Sequence, residues 1–338
     1  MAELKVKVVE IESVNDHPNA DRLDIIKVKD MDYVIISGKG NLKAGDLAFY
    51  FPVDSVLPEK WVNEFDIAGF YFGRIKATKL RGIFSEGLLI PVIDKYWPFS
   101  SKPKAGQDVN GVFNVTKYDP PIPVEMQGQV LRPLSASERF PSPEHFKTYS
   151  NLLVEGEEVV ITEKYHGANF GVAKFRDGTI GSHSHNDWMI DSEENKRNLY
   201  VRIVKEYPEL AAIPALVHVY GEIIGVQDLK YGLDKGKINY VLFGAKINDR
   251  FLNYTEFQDL CNKYELNRAN VLFRGPYTKD KVTQYNNVDS TYPGANHMME
   301  GVVINPVNER YSSEVGGRLV LKFISEKYHL RKNGTENK

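Results

Sequence analysis

Between residues 100 and 143 the sequence loses all periodicity, and that break decides how the chain can fold. Lys102-Pro103-Lys104, Asp119-Pro120-Pro121-Ile122-Pro123 and Phe140-Pro141-Ser142-Pro143 crowd it with proline. Proline removes a backbone donor and biases its predecessor toward extended geometry. The expectation is two domains, residues 1–120 and 151–338, with 121–150 as a linker or packed arm. A chain of 338 residues is long enough for two ordinary domains and a sizeable core.

The first side reads as short strands. Residues 4–12 alternate, with Leu4, Val6 and Val8 on one face and Lys5 and Lys7 on the other. Asn15-Asp16-His17-Pro18-Asn19-Ala20-Asp21 is a turn cluster. Further strands are expected at 23–28, 33–37, 47–53, 71–78 and 87–92, with Gly38, Gly40 and Gly45 punctuating them. No amphipathic helix of any length intervenes, which points to a small barrel or sandwich. The second side mixes elements. Strands are expected at 158–163, 168–175, 179–184, 216–224, 238–247, 301–305 and 318–324. Helices are expected near 192–207 and 255–264, the second capped by Thr255. Strands with inserted helices, not regularly alternating, indicate α+β.

Composition narrows the function classes. No apolar run is long enough to span a bilayer, and the N-terminus lacks the apolar core of a signal peptide. Cys261 is the single cysteine, which rules out an intrachain disulfide and multi-cysteine zinc and fits a cytoplasmic or otherwise intracellular location. A formal net charge of −2 argues against a chain that is mainly a charged glove for nucleic acid, while leaving room for a local basic groove.

The chemistry centres on Thr162-Glu163-Lys164-Tyr165-His166-Gly167-Ala168-Asn169-Phe170, which ends one strand and opens the next. Lys-x-x-Gly at a strand end can present an amine to a nucleotide phosphate. The four letters alone carry little, since Lys79-Leu80-Arg81-Gly82 repeats them. No glycine-rich phosphate loop of the Walker kind is present. What raises Lys164 is the order of stretches behind it. Ser182-His183-Ser184-His185-Asn186 ends a strand, and Tyr220-Gly221-Glu222 sets a carboxylate beside a glycine. Tyr240-Val241-Leu242-Phe243 can point an aromatic ring at a base. Met299-Glu300-Gly301 puts an acid before an apolar strand, and Lys322 is embedded in Leu319-Val320-Leu321-Lys322-Phe323, where a buried ammonium needs an anion.

In that order, residues 155–328 resemble the covalent nucleotidyltransferase superfamily of RNA ligases, DNA ligases and capping enzymes, most of all ATP-dependent RNA ligases. The front of the chain resembles an OB-fold through His17-Pro18-Asn19-Ala20-Asp21-Arg22-Leu23, Lys76-Ala77-Thr78-Lys79-Leu80-Arg81-Gly82 and Ser85-Glu86-Gly87-Leu88-Leu89-Ile90-Pro91. The order is that of the RNA-repair branch: an N-terminal all-β OB-fold barrel, then a C-terminal α+β nucleotidyltransferase domain.

The resemblance implies Lys164 as covalent nucleophile. It implies Glu163, Asn169, His185, Glu222, Phe243, Glu300 and Lys322 around the nucleotide, with Glu222 and Glu300 toward a Mg²⁺ or Mn²⁺ ion. ATP would donate AMP. The partner would be nicked or broken RNA with 5′-phosphate and 3′-hydroxyl ends; no membrane and no obligate protein partner are implied. For Arg74, Lys76, Lys79 and Arg81, phosphate contact and a solvated strand face are both open readings. The chain departs from the commoner pattern in three places. His166 stands where Asp is usual, His185 where Arg is usual, and Lys322 has no second lysine flanking it at 320 or 324. The alternatives are an RNA-binding protein with an inactive transferase domain, or a DNA-sealing or capping transferase.

Overall fold

The computed structural model describes residues 4–119, 126–332 and 334. They divide into two compact units. One comprises the first 119 residues with His145–Asn151, the other Pro120–Glu144 with Leu152–Lys338. The stretch expected as a linker is thus shared between the units, and Pro120, Pro121 and Pro123 lie outside the described residues.

In the first unit an antiparallel sheet runs in the order Val34–Gly38, Leu23–Val28, Lys7–Asp16, Leu47–Phe51, Leu88–Pro91. Lys7–Asp16 pairs on both sides, and its register shifts between Ile11 and Ser13. Such a bulge bends a strand and increases its twist, and here the sheet curls into a nearly closed barrel. Side-chain alternation gives each strand two apolar faces. Val8, Phe49 and Phe51 pack with Phe113, while Val9, Ile11, Ala48 and Ile35 form a second cluster.

Two expectations give way here. Residues 71–77 are bend and irregular chain, and of the expected strand only Thr78 is in one. The Tyr71 hydroxyl points inward and accepts from the Leu57 N–H at 2.9 Å, while Gly73 sits at φ 77. A short helix, Glu59–Glu64, was also not expected. It is less than two turns long, too short for a helical period to register, and it turns Val62 inward and Trp61 onto Phe113.

The second unit carries two antiparallel sheets. The larger runs Val130–Pro133, Asp187–Met189, Ile180–Ser184, Ala168–Lys174, Val217–Ile224, Asn239–Ile247, Arg250–Phe251. The other includes, in order, Leu321–Ile324, Gly301–Pro306, Glu158–Lys164 and Val271–Pro276. Helices Leu199–Glu206 and Tyr254–Lys263 contribute Ile203, Phe257 and Leu260 to a core that also holds Phe170, Val172, Val219 and Leu242. The first helix starts at Leu199, later than expected, because the Asn198 side chain accepts from the Tyr200 and Val201 N–H groups. The second is capped by Asn253, not Thr255, in a reciprocal box with Glu256.

Candidate active site

Period-two alternation decides which residues can meet. On strand Ala168–Lys174, Phe170 and Val172 enter the core, so Asn169 and Gly171 face the other way. Asn169 pairs directly with Glu222, and Gly171 with Tyr220 and His183. Gly171 leaves room for an imidazole, since a Cβ there would lie 2.1 Å from His183 Nε2. The His183 and His218 rings meet through Nε2 atoms 2.6 Å apart, and the Tyr220 hydroxyl is 2.8 Å from His218 Nδ1.

Burial pushes His183 down to about 4 and His218 well below the ordinary value. The unfolded chain, with histidine near 6.5, then binds more protons than the folded one as the pH falls toward 4. The sign is therefore destabilising in acid. Urea unfolding at a series of pH values should show stability falling through this window by about 3 kcal/mol from His183 alone.

The second sheet brings the lysine in from its own edge. Lys164 is the last residue of Glu158–Lys164 and pairs with Gly301. Its Nζ lies 2.7 Å from Glu300 Oε1. Glu222 shares this environment. Burial raises its carboxyl to about 8, against the pull of the Lys164 charge and with a further push from Glu300. Lys164, Glu222 and Glu300 therefore form one electrostatic group, with Asn169 alongside Glu222. Lys322 pairs with Val303, which pairs with Thr162. It stands two strands across and two residues along from Lys164, on the same sheet face. Glycine is needed at 167, where a Cβ would lie 2.0 Å from the Ile223 carbonyl oxygen.

Glu163 has a different place from the one expected. It alternates to the opposite face from Lys164 and is 2% exposed. One carboxylate oxygen accepts from Ser290 Oγ at 2.5 Å, the other from the Thr291 N–H and Oγ1 at 2.9 and 2.6 Å. These bonds tie the side chain to Ser290 and Thr291. Phe243 sits at the bulge in Asn239–Ile247, where Leu242 pairs with Gly221 and Gly244 with Tyr220, and its ring lies edge-on to Phe140 at 5.0 Å. Phe140, from the expected linker, went unnoticed in the sequence because its prolines read as punctuation. His185 is half-buried in the two-residue turn between Ile180–Ser184 and Asp187–Met189.

In the barrel unit, Arg74 is buried, 3.1 Å from Asp54 and stacked over Tyr118 at 3.8 Å. The ion pair and the ring engage it, so it is not on a solvated strand face. Lys79 and Arg81 are exposed on a hairpin, Thr78–Leu80 with Ile83–Ser85, turned through Arg81 and Gly82 at φ 46 and 97. Two positive φ values make the type of turn whose twist suits a hairpin. The His17 cluster braces it: His17 Nδ1 accepts from the Asn19 N–H, Nε2 donates to the Leu80 carbonyl, and Asn19 donates to the Arg81 carbonyl. Phe70 and Phe72, missed in the sequence, are 60% and 73% exposed on either side of the inward Tyr71. Their signal was the glycine at each end of Gly69-Phe70-Tyr71-Phe72-Gly73.

Among the described residues, no group of three or more His, Cys, Asp or Glu side chains could hold a metal ion, and no helix is long and apolar enough to cross a membrane. Two carboxylates, Glu222 and Glu300, are oxygen donors of the kind hard divalent cations accept, with water or phosphate completing the shell.

Residues 157–324 match the RNA ligase family model, and residues 5–92 match an OB-fold domain model. No curated protein matches the chain. Solved structures of Naegleria gruberi RNA ligase share the fold. A lysine-to-alanine mutant with ATP and Mn has a TM-score of 0.81 at 20% identity, covering 96% of this chain and 98% of that one. A lysine-to-methionine mutant with AMP and Mn has a TM-score of 0.80 at 20% identity, covering 96% and 97%. The enzyme with PPi has a TM-score of 0.79 at 21% identity, covering 96% and 97%. With residues 157–324 matched by the one model and residues 5–92 by the other, the chain carries an RNA ligase domain behind an OB-fold domain.

Proposed function

We propose that this chain is an ATP-dependent RNA ligase that joins 3′-hydroxyl to 5′-phosphate ends through a lysyl-AMP. The observation that carries the reading is Lys164 at a strand end, 2.7 Å from Glu300, with Glu222 in the same field. The Naegleria enzyme, solved with ATP, AMP and PPi, supports it by likeness of fold.

In the first step the Lys164 amine, having lost its proton, attacks the α-phosphorus of ATP. A P–N bond forms and the bond to pyrophosphate breaks. A 5′-phosphate oxygen of RNA then attacks the same phosphorus, the P–N bond breaks, and Lys164 regains a proton. Finally the 3′-hydroxyl oxygen attacks the activated 5′-phosphorus, and AMP leaves. Negative charge grows on the phosphate oxygens at each step, so catalysis is mainly positioning and cations. Lys322 would face the α-phosphate, Asn169 and Glu222 the sugar side, and Phe243 the base. His185 remains a candidate for the nucleotide. Glu222 and Glu300 would hold Mg²⁺ or Mn²⁺, which when bound offsets phosphate charge.

The substrate we favour is a nicked duplex with RNA on the 3′-hydroxyl side. Incubation with α-labelled ATP and a divalent cation should leave label on the protein, and the labelled protein should seal such a nick. Absence of label would sink the enzyme reading. RNA binding without label would leave an inactive RNA-binding protein, label from GTP a capping activity, and efficient sealing of all-DNA nicks a DNA ligase.

Lys76, Lys79 and Arg81 would meet the RNA backbone, and Phe70 and Phe72 offer faces on which bases can stack. Charge reversal at Lys79 and Arg81 together should weaken RNA binding about tenfold and flatten its salt dependence, since each phosphate contact releases counterions. Arg74→Ala should instead lower the melting temperature through loss of the Asp54 pair. Fluorescence anisotropy at several salt concentrations, with thermal melts alongside, checks both.

A further inference from the structure

His166 departs from the commoner residue at its position, and its surroundings give it a definite task. The imidazole is buried between two partners. Nε2 is 2.9 Å from Asp228 Oδ1, and Nδ1 is 2.8 Å from the Tyr328 hydroxyl. A carboxylate only accepts, so Nε2 carries the proton and Nδ1 accepts from Tyr328. Arg331 closes the ring of contacts, with Nε donating to Asp228 Oδ2 at 2.9 Å and the guanidinium lying 3.6 Å over the Tyr328 ring.

The backbone of the same turn is held from the same side. The His166 N–H donates to the Tyr231 hydroxyl at 2.7 Å, and Gln227 donates to the Gly167 carbonyl. Gln227, Asp228 and Tyr231 come from the loop that follows strand Val217–Ile224, and Tyr328 and Arg331 lie beyond residue 324, where the family match ends.

That C-terminal segment also reaches the other half of the lysine pair. The Ser325 N–H donates to the Glu300 carbonyl at 2.9 Å. Helix Glu326–His329 is seated by Asn286 and Asn287, whose side-chain oxygens accept from the Glu326 and Lys327 N–H groups at 3.1 and 2.8 Å. One short segment therefore touches the turn after Lys164 and the backbone of Glu300 together.

We propose that residues 325–331 form a clasp that sets the nucleophile turn through His166, so that His166 positions Lys164 and moves no proton. The inference rests on the lysyl-AMP reading for its kinetic consequence, though the clasp itself is a matter of contacts. With both ring nitrogens engaged, the imidazole has no free lone pair for an incoming amine and no free N–H for a phosphate. What it provides is a fixed position for the Lys164 backbone, which a reaction needing near-attack alignment requires.

The test uses single-turnover labelling with α-labelled ATP, thermal melts, and hydrogen exchange of residues 164–167. The variants are Tyr328→Phe, Asp228→Asn and His166→Gln in the full chain. Each should slow formation of the lysyl-adenylate about 10- to 100-fold, leaving the half-saturating ATP concentration within about twofold, because alignment and not nucleotide affinity is lost. The Tyr328→Phe, His166→Gln double variant should be no slower than the slower single, since one linkage is being cut twice. The pH–rate profile of His166→Gln should keep the wild-type shape.

Loss of one limb of that profile would make His166 a proton-transfer group and overturn the proposal. Wild-type labelling and wild-type exchange in Tyr328→Phe would overturn it as well. Should the wild-type chain take no label, the ligase reading fails on its own, and hydrogen exchange still decides the clasp: faster exchange of the His166 amide in Tyr328→Phe supports it, and unchanged exchange overturns it.

Discussion

Lys164→Ala should take no label from α-labelled ATP with any divalent cation, and Lys164→Arg should be equally silent. On the lysyl-AMP reading, the alanine variant has no nucleophile. The arginine variant keeps the charge that faces Glu300, yet guanidinium stays protonated in proteins and cannot attack phosphorus. The expected loss is at least about four orders of magnitude, the scale on which removing a covalent nucleophile acts. Folding should survive, because Lys164 sits at a strand end with its side chain about a quarter exposed. The decisive control bypasses the lysine. Given RNA whose 5′-phosphate is already adenylylated, Lys164→Ala should still seal it, because the final step breaks a bond to AMP that the lysine never holds. Label on Lys164→Ala equal to that on the wild type would remove Lys164 from the chemistry altogether.

Gly167→Ala should be the most damaging change that adds only a methyl group. The new Cβ would meet the Ile223 carbonyl oxygen at 2.0 Å and Glu222 Cγ at 3.1 Å. A carbonyl inside a sheet cannot step aside without disturbing its ladder, so strand Val217–Ile224 must shift against the lysine turn. The expected cost is about 3 kcal/mol, the upper range for overpacking, read as a lower urea midpoint at unchanged slope. Labelling should fall much further than stability, since the displaced strand carries Glu222. By contrast, Gly156→Ala, at a glycine with no heavy atom within 4 Å of the added Cβ, meets only the strain of its φ of 84 and should leave labelling near wild type.

What was legible in the sequence was whatever repeats at short range. Strand 23–28 was read to the residue because Ile26 and Val28 bury alternately and the turn cluster Asn15–Asp21 precedes it. The long strands of the second unit were bounded to within a residue or two for the same reason. The ordered motifs led to residues that do come together: Lys164 with Glu300, and Asn169 with Glu222.

The misses have physical causes. Glu163 adjoins Lys164 in sequence, but a strand sends neighbours to opposite faces, so it binds Ser290 and Thr291. Arg74 looked like one of a basic series, and no local pattern foretells that Asp54 and Tyr118 would enclose it. The partners of His166 lie 62 and 162 positions away, a distance over which spacing carries no information.

That last separation has a consequence in time. The turn at Lys164 is synthesised near the middle of the chain, but the hydroxyl that meets His166 arrives with Tyr328, 162 residues later. At about 5–20 residues per second, the wait is roughly 10–30 s. During it the lysine strand can already pair, while the turn beyond it lacks Tyr328 and Arg331. If the clasp sets Lys164 as proposed, a nascent chain would carry its nucleophile long before it could aim it, and readiness for ATP would wait for residues 325–331.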